Sequence, residues 1–149
     1  MTHGRGGDDS HPSNSHGFPV DNWRGFGGAS TFLWALGLWP FKDTFYSNSS
    51  ARVINSHAED YGNGTKGEPM PFTHALVAAL SGGGVAPGGP VGSTDANLVL
   101  MTCRSDGQLL RPSRPAMYID RVWLMDPDVG ETSVAATQLQ GFVWKFVSI

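Results

Sequence analysis

The side chains best suited to chemistry stand near the N-terminus, in the segment Arg5-Gly6-Gly7-Asp8-Asp9. Asp8 and Asp9 are adjacent carboxylates that lie ahead of a predicted helix rather than inside one. Carboxylates are among the side chains that perform general acid–base catalysis. Taken alone, the same composition is typical of a solvated, glycine-rich tail.

Neither a metal nor a cofactor is predicted from the other candidate motifs. His3, His11 and His16 lie near the two aspartates, but their spacing matches no compact ligand pattern. The glycine runs at 82–84 and 88–89 match neither the Walker nor the dinucleotide-binding spacing. We interpret these glycines as positions where the backbone passes close to a neighbouring strand at a strand–helix junction.

Composition limits the class of protein. The chain has 149 residues, of which 20 are glycine and 10 proline, so long uninterrupted helices are not expected. A net charge of −3 with 40% hydrophobic residues argues against both a disordered chain and a nucleic-acid partner. The longest apolar stretch, residues 31–41, is far shorter than the roughly 20 residues that a membrane span needs. The single cysteine excludes an intrachain disulfide, and no compartment is indicated.

Helical spacing of apolar residues predicts three helices. The second is expected to begin near Pro71 and to end at Gly82, and the third to be capped by Ser93 or Thr94. The predicted apolar faces are Ala29, Phe32, Leu33 and Leu36 in the first helix; Phe72, Ala75, Leu76, Ala79 and Leu80 in the second; and Ala96, Val99, Leu100 and Cys103 in the third.

Short apolar runs between the helices predict buried strands at 39–46 and 85–86, in a strand–helix alternation. From residue 114 onward the pattern changes to β-branched and aromatic runs at 116–123, 132–136 and 142–149, which predict antiparallel strands. Residues 47–71 show no periodicity and are interpreted as a functional loop or a disordered insert.

The order of several segments resembles the raffinose synthase and seed-imbibition family of glycosidase-related barrels. In that family a barrel strand ends in an Arg-Ala-Ser-Asp-Asp type segment, which residues 5–9 match at the arginine and both aspartates, with Gly7 in place of the serine. The resemblance continues through Ala-Leu-Gly-Leu-Trp-Pro-Phe-Lys-Asp-Thr-Phe at 35–45 and Ala-Ala-Leu-Ser-Gly-Gly-Gly-Val-Ala-Pro-Gly at 78–88. It extends to Ser-Asp-Gly-Gln-Leu-Leu-Arg at 105–111.

This resemblance implies an α/β fold in two parts. Residues 1–112 would form the last βα units of a partial (β/α)₈ TIM barrel, and 113–149 the start of a C-terminal β-domain with a short antiparallel segment. The alternation of helices and short strands followed by strands alone fits this arrangement. Active sites of such barrels lie at the carboxyl ends of the strands, so Asp8, Asp9 and Asp43 would face one cavity.

The implied parent enzyme acts on α-linked, galactose-type glycosides by a retaining mechanism that uses two carboxyl groups. The family's arginine-to-aspartate spacing selects Asp9 as the acid/base, with Asp8 as the second choice and Arg5 as a substrate contact or charge partner. The family's Lys-x-Asp nucleophile segment has no counterpart in these 149 residues. We therefore expect a C-terminal fragment that is inactive when isolated.

Further substrate contacts are expected around the next strand. Asp43 beside Lys42 suits hydrogen bonds with sugar hydroxyls, although an ion pair without function is an equal alternative. Trp23 is a candidate for stacking on a sugar ring, whereas Trp34 and Trp39 flank an apolar helix and are better explained as core.

Two other readings remain open. One is a non-catalytic carbohydrate-binding or scaffolding protein that has kept the fold without the chemistry. The other is a chain that folds on assembly with a partner, either the missing barrel portion or a second copy of itself, because an exposed parallel strand edge invites pairing.

Overall fold

A computed structural model describes residues 3–5, 20–49, 68, 70–124 and 133–148. It shows a mixed helix–strand fold with a three-stranded antiparallel sheet. Among the residues described, every helix falls short of the length and hydropathy that a membrane span needs. The elements are β1 (His3–Arg5), α1 (Val20–Ala35), β2 (Trp39–Phe41), α2 (Pro71–Ser81), α3 (Ala96–Leu100), β3 (Arg114–Tyr118), α4 (Asp120–Leu124), β4 (Ser133–Leu139) and β5 (Phe142–Ser148).

The first half of the chain is built from parallel pairings. β1 and β2 pair in parallel, with His3 opposite Trp39 and Arg5 opposite Phe41, and α1 connects them. Four residues beyond β2, Phe45 forms a parallel bridge with Pro87, on the far side of α2. Parallel strands joined through helices are the arrangement that the strand–helix alternation predicts.

Glycines allow the segment after α2 to pass close to β2. Gly82 ends α2 at a φ of 78°, and a Cβ there would lie 2.4 Å from the Trp39 ring. A Cβ on Gly83 would lie 2.3 Å from the Phe41 Cβ and 2.8 Å from the Pro40 carbonyl oxygen. The predicted close passage is confirmed at Gly82 and Gly83 but is wrong for Gly84, where a Cβ would meet nothing within 4 Å.

The second half forms an antiparallel sheet in the order β3-β4-β5. β4 and β5 pair along their whole length, from Ser133 opposite Ser148 to Leu139 opposite Phe142. The predicted strand at 116–123 is wrong in its second part, because the chain turns after Tyr118 into the short helix α4. Asp120 explains the change: aspartate is disfavoured in strands, and its carboxylate is favourable in the first turn of a helix.

The helix α2 lies between the two sets of strands. On one side Ala75 and Ala78 pack in a cluster with Phe45. On the other side Val77 packs with Ala116 of β3 and Ala135 of β4.

The predicted apolar faces of the helices are wrong for their largest side chains. The large members Phe32, Leu36, Phe72, Leu76 and Leu100 are between 42% and 65% exposed. The buried helix positions are instead mostly small or polar, because small side chains let α2 approach strands on both of its sides. These buried residues are Ser30, His74, Ala75, Val77, Ala78, Ser81 and Leu98.

The cap of α3 also differs from expectation. Asp95 is the N-cap, and its Oδ1 accepts a hydrogen bond of 3.1 Å from the Leu98 backbone N–H. The hydroxyl of Ser93 instead donates to the Pro90 carbonyl at 2.7 Å. The prediction of Ser93 or Thr94 as the cap was therefore wrong by one or two residues.

Replacement of Asp95 by alanine tests this cap. Asp95→Ala removes the acceptor of the Leu98 N–H and is expected to lower the free energy of unfolding by about 1 kcal/mol. Thr94→Ala, at the neighbouring exposed position, should leave it nearly unchanged. Urea denaturation followed by circular dichroism measures both, and equal losses would contradict the assignment.

Candidate functional site

The carboxyl ends of β1 and β2 meet at one edge of the parallel pair. Arg5 is the last residue of β1 and lies opposite Phe41, the last residue of β2. Lys42 and Asp43 follow β2 directly, so the backbone register brings these positions and Arg5 to the same edge. In α/β folds this edge is where ligands bind.

The structure describes the other predicted site residues only in part. Asp8 and Asp9, the acid/base candidates, lie outside the described residues. Trp23 falls within α1. The structure therefore brings together the positions of Arg5, Lys42 and Asp43.

Lys42 lies beneath this edge rather than in solvent. Its side chain is only 2% exposed. Its Nζ is 3.4 Å from the Asp43 carbonyl oxygen and 5.8 Å from the centroid of the Phe45 ring. A lysine ammonium at this distance from an aromatic face makes a cation–π contact, which is stronger where water is excluded.

Asp43 is half-buried and has a defined orientation. Its Oδ1 accepts a hydrogen bond of 2.6 Å from the backbone N–H of Thr44. This contact ties the carboxylate to the backbone of the next residue, one position before the bridge at Phe45. The carboxylate is thereby held close to the end of β2.

Two buried ionisable side chains that the sequence did not single out lie near Phe45: His74 stacks on its ring, and Glu68 contacts His74. Glu68 and His74 are 1% and 3% exposed, and the Glu68 Oε1 lies 3.4 Å from the His74 Nε2. The same oxygen accepts the Met70 N–H at 3.0 Å. The His74 ring is stacked on Phe45, with centroids 6.3 Å apart and an interplanar angle of 8°. We call Lys42, Phe45, Glu68 and His74 the Phe45 cluster.

The Phe45 cluster brings together polar groups whose burial costs free energy. In the part of the chain that the structure describes, neither ring nitrogen of His74 makes a hydrogen bond, although both are shielded from solvent. The approach of the Glu68 Oε1 to the Nε2 at 3.4 Å does not have hydrogen-bond geometry. Buried polar atoms are nearly always paired, so such a group marks strain, a functional role or a place for another polar atom. The only sequence signal was a histidine inside an apolar helical run, and Glu68 stood in the 47–71 segment that lacks periodicity.

The tryptophans next to β2 are engaged in packing. Trp34 and Trp39 form an edge-to-face pair with centroids 5.0 Å apart. The guanidinium carbon of Arg111 lies 5.6 Å from the Trp39 ring, and Gly82 closely approaches the same ring. These contacts support the interpretation of this pair as part of the packed interior rather than as a sugar platform.

The segment after β2 therefore combines a half-buried carboxylate, Asp43, with the buried Lys42 and Phe45 of the Phe45 cluster. A carboxylate held in this way suits hydrogen bonds with the hydroxyl groups of a polar ligand. No protein-family model, curated protein or solved structure matches the chain.

Proposed function

We propose that the chain is the C-terminal part of a glycoside hydrolase-like protein whose parent acts on α-linked, galactose-type glycosides by a retaining mechanism. Residues 1–112 would supply the last βα units of a (β/α)₈ barrel, and 113–149 the start of its C-terminal β-domain. The observation that carries the proposal is the parallel register of Arg5 with Phe41. It supports a shared edge at which the segment after Arg5 and the segment after Phe41 both contribute side chains.

Asp9 is the proposed proton donor to the leaving-group oxygen and then the base that activates water, with Asp8 as the second choice. Arg5 is proposed to contact the substrate or to pair with these carboxylates. A retaining mechanism needs a second carboxyl about 5 to 5.5 Å from the first, as the nucleophile. No Lys-x-Asp segment occurs in these 149 residues, so the isolated chain is proposed to be inactive.

The substrate contacts are proposed to come from the same edge. Asp43 would accept hydrogen bonds from sugar hydroxyls, and Trp23 would stack on a sugar ring. The buried ammonium of Lys42 is proposed to support Asp43 from below, because its Nζ lies 3.4 Å from the Asp43 carbonyl oxygen.

The partner of the chain is proposed to be the missing barrel portion or a second copy. Large apolar side chains on the helices support this, because soluble domains rarely leave such groups uncovered in continuous patches. Phe32 of α1, Leu36 directly after it, and Phe72 and Leu76 of α2 are all more than two fifths exposed.

Sugar binding and turnover test the proposal together. The 149-residue chain is expected to bind an α-galactosyl disaccharide without cleaving a chromogenic α-galactoside. Asp43→Asn removes a charged hydrogen-bond acceptor, and Asp9→Asn removes the proposed proton donor to the glycosidic oxygen. Each is expected to weaken binding by about tenfold. Titration calorimetry measures the affinity, and release of the chromogenic alcohol measures turnover.

Asp106→Asn is the matched control, because Asp106 is an exposed aspartate in a turn and pairs with Arg104. Its affinity for the disaccharide should equal that of the unmodified chain. Turnover that Asp9→Asn leaves unchanged would contradict both the expected inactivity and the role of Asp9. Binding that is insensitive to Asp9 and Asp43 would favour the alternative, a non-catalytic carbohydrate-binding or scaffolding protein.

A further inference from the structure

The two faces of the antiparallel sheet have different environments. Ala135 of β4 packs against Val77 of α2, so its side of the sheet faces the helices. Side chains alternate along a strand, so Val134 and Ala136 lie on the opposite side, which we call the outer face. Residues directly opposite each other in an antiparallel pair share a face.

The register places two cations on the outer face in one row. Ala136 pairs with Arg114 of β3 on one side and with Lys145 of β5 on the other. The pairing of β3 is irregular between Arg114 and Met117, so strict alternation from Ala116 does not apply to Arg114, which lines the same cavity as Ala136. The two outer strands are separated by two strand spacings, about 10 Å. Only the methyl group of Ala136 lies between the two long side chains on this row, so both can converge on one group bound above it.

A cavity of about 330 Å³ lies at this row. Arg114, Ala136 and Lys145 line it together with Val134, Met117 and Asp120. This volume is within the range of small-molecule sites. Within the part of the chain that the structure describes, the side chains of Arg114, Lys145 and Asp120 have no hydrogen bond or ion pair. Two cations and one carboxylate are thus left without a protein partner around an apolar floor.

From this arrangement we infer that the outer face binds a small hydroxylated organic anion. Its phosphate or carboxylate group would receive charge-assisted hydrogen bonds from the Arg114 guanidinium and the Lys145 ammonium. Asp120 would repel a bare anion, but its carboxylate accepts hydrogen bonds from hydroxyl groups on the same molecule. None of the residues that line this cavity belongs to the proposed glycosidase edge at Arg5, Lys42 and Asp43.

The test titrates the whole chain with four matched probes: glycerol 3-phosphate, glycerate, inorganic phosphate and glycerol. Nuclear magnetic resonance shifts, including that of the Ala136 methyl group, give the affinity. At least one of the two hydroxylated anions is expected to bind, with inorganic phosphate about tenfold weaker and glycerol without a measurable effect. Tighter binding of glycerol 3-phosphate would identify a phosphate as the charged group of the ligand, and tighter binding of glycerate would identify a carboxylate.

Arg114→Gln and Lys145→Gln are each expected to weaken binding by at least about tenfold. Both positions are exposed, so the variants should fold, which circular dichroism checks. Arg104→Gln removes an exposed arginine outside the cavity and should leave the affinity unchanged. Asp120→Asn should reduce the preference for the hydroxylated anion over inorganic phosphate.

Three results would overturn the inference. The first is the absence of binding by both hydroxylated anions. The second is an equal loss of affinity in Arg104→Gln, which would indicate nonspecific charge attraction. The third is inorganic phosphate that binds as tightly as the hydroxylated probes, which would remove the role assigned to Asp120.

Discussion

Gly83→Ala is expected to lower the free energy of unfolding by about 3 kcal/mol. The added Cβ would meet the Phe41 Cβ at 2.3 Å, the Pro40 carbonyl oxygen at 2.8 Å and the Phe41 Cα at 2.9 Å. Two of these atoms belong to the backbone of β2, which cannot rotate away as a side chain can. The strand and the segment after α2 would have to separate, which would also disturb the packing below Lys42 and Asp43.

Gly84→Ala is the matched control for this prediction. A Cβ at Gly84 meets nothing within 4 Å, and Gly84 is outside the left-handed region of φ. Its stability should change by less than about 0.5 kcal/mol, or rise slightly because alanine restricts the unfolded chain. Urea denaturation of the two variants under identical conditions makes the comparison. Similar losses in both would show that the close passage at Gly83 is not the cause.

Glu68→Ala is expected to lower the free energy of unfolding by about 2 to 4 kcal/mol. The substitution empties a fully buried volume and removes the acceptor of the Met70 N–H, directly before α2 begins. It also takes the nearest carboxylate away from the buried ring of His74. Thermal and urea unfolding of the purified variant measure the loss.

Glu68→Gln separates the loss of the carboxylate charge from the loss of the buried volume and of the acceptor oxygen. The amide keeps the volume and an oxygen that can accept the Met70 N–H, so most of the stability should be retained. Asp106→Ala, which removes a surface ion pair between side chains more than half exposed, should cost at most about 1 kcal/mol. A loss in Glu68→Gln as large as that in Glu68→Ala would contradict the role assigned to the acceptor oxygen.

The helices and strands were predictable where residues that favour a particular end of an element, such as proline and glycine, mark their bounds. The expected helix from Pro71 to Gly82 begins and ends within a residue of α2, because proline suits the first turn and glycine suits the left-handed end. The change to antiparallel strands after residue 114 is also confirmed. The helix faces were not predictable, because a single apolar stripe assumes burial on one side only. α2 is buried on two sides, through Ala75 and Ala78 toward Phe45 and through Val77 toward the sheet.

The candidate site was predictable in part for a similar reason. Lys42 and Asp43 were candidates because the family resemblance places Asp43 in or just after the next barrel strand. The predicted strand at 39–46 included both residues, whereas β2 ends at Phe41 and both follow it. The surroundings of Phe45 were not predictable, because His74 and Glu68 are distant from it in sequence and carry no pattern of their own. The partners of a buried charge are set by tertiary packing, and periodicity does not record them.

β5 pairs only with β4 in the described part of the chain, so its other side is an open strand edge rich in aromatic residues. Lys145 is the middle residue of β5, and a second copy added antiparallel about that centre would set the two lysines face to face. Two positive charges directly opposite each other destabilise an antiparallel pair. Lys145 would therefore oppose the pairing of two β5 edges and the growth of fibres along the sheet. An anion bound at the outer face would neutralise the Lys145 charge and remove this repulsion. Binding of the anion would then make the chain more prone to associate with other copies.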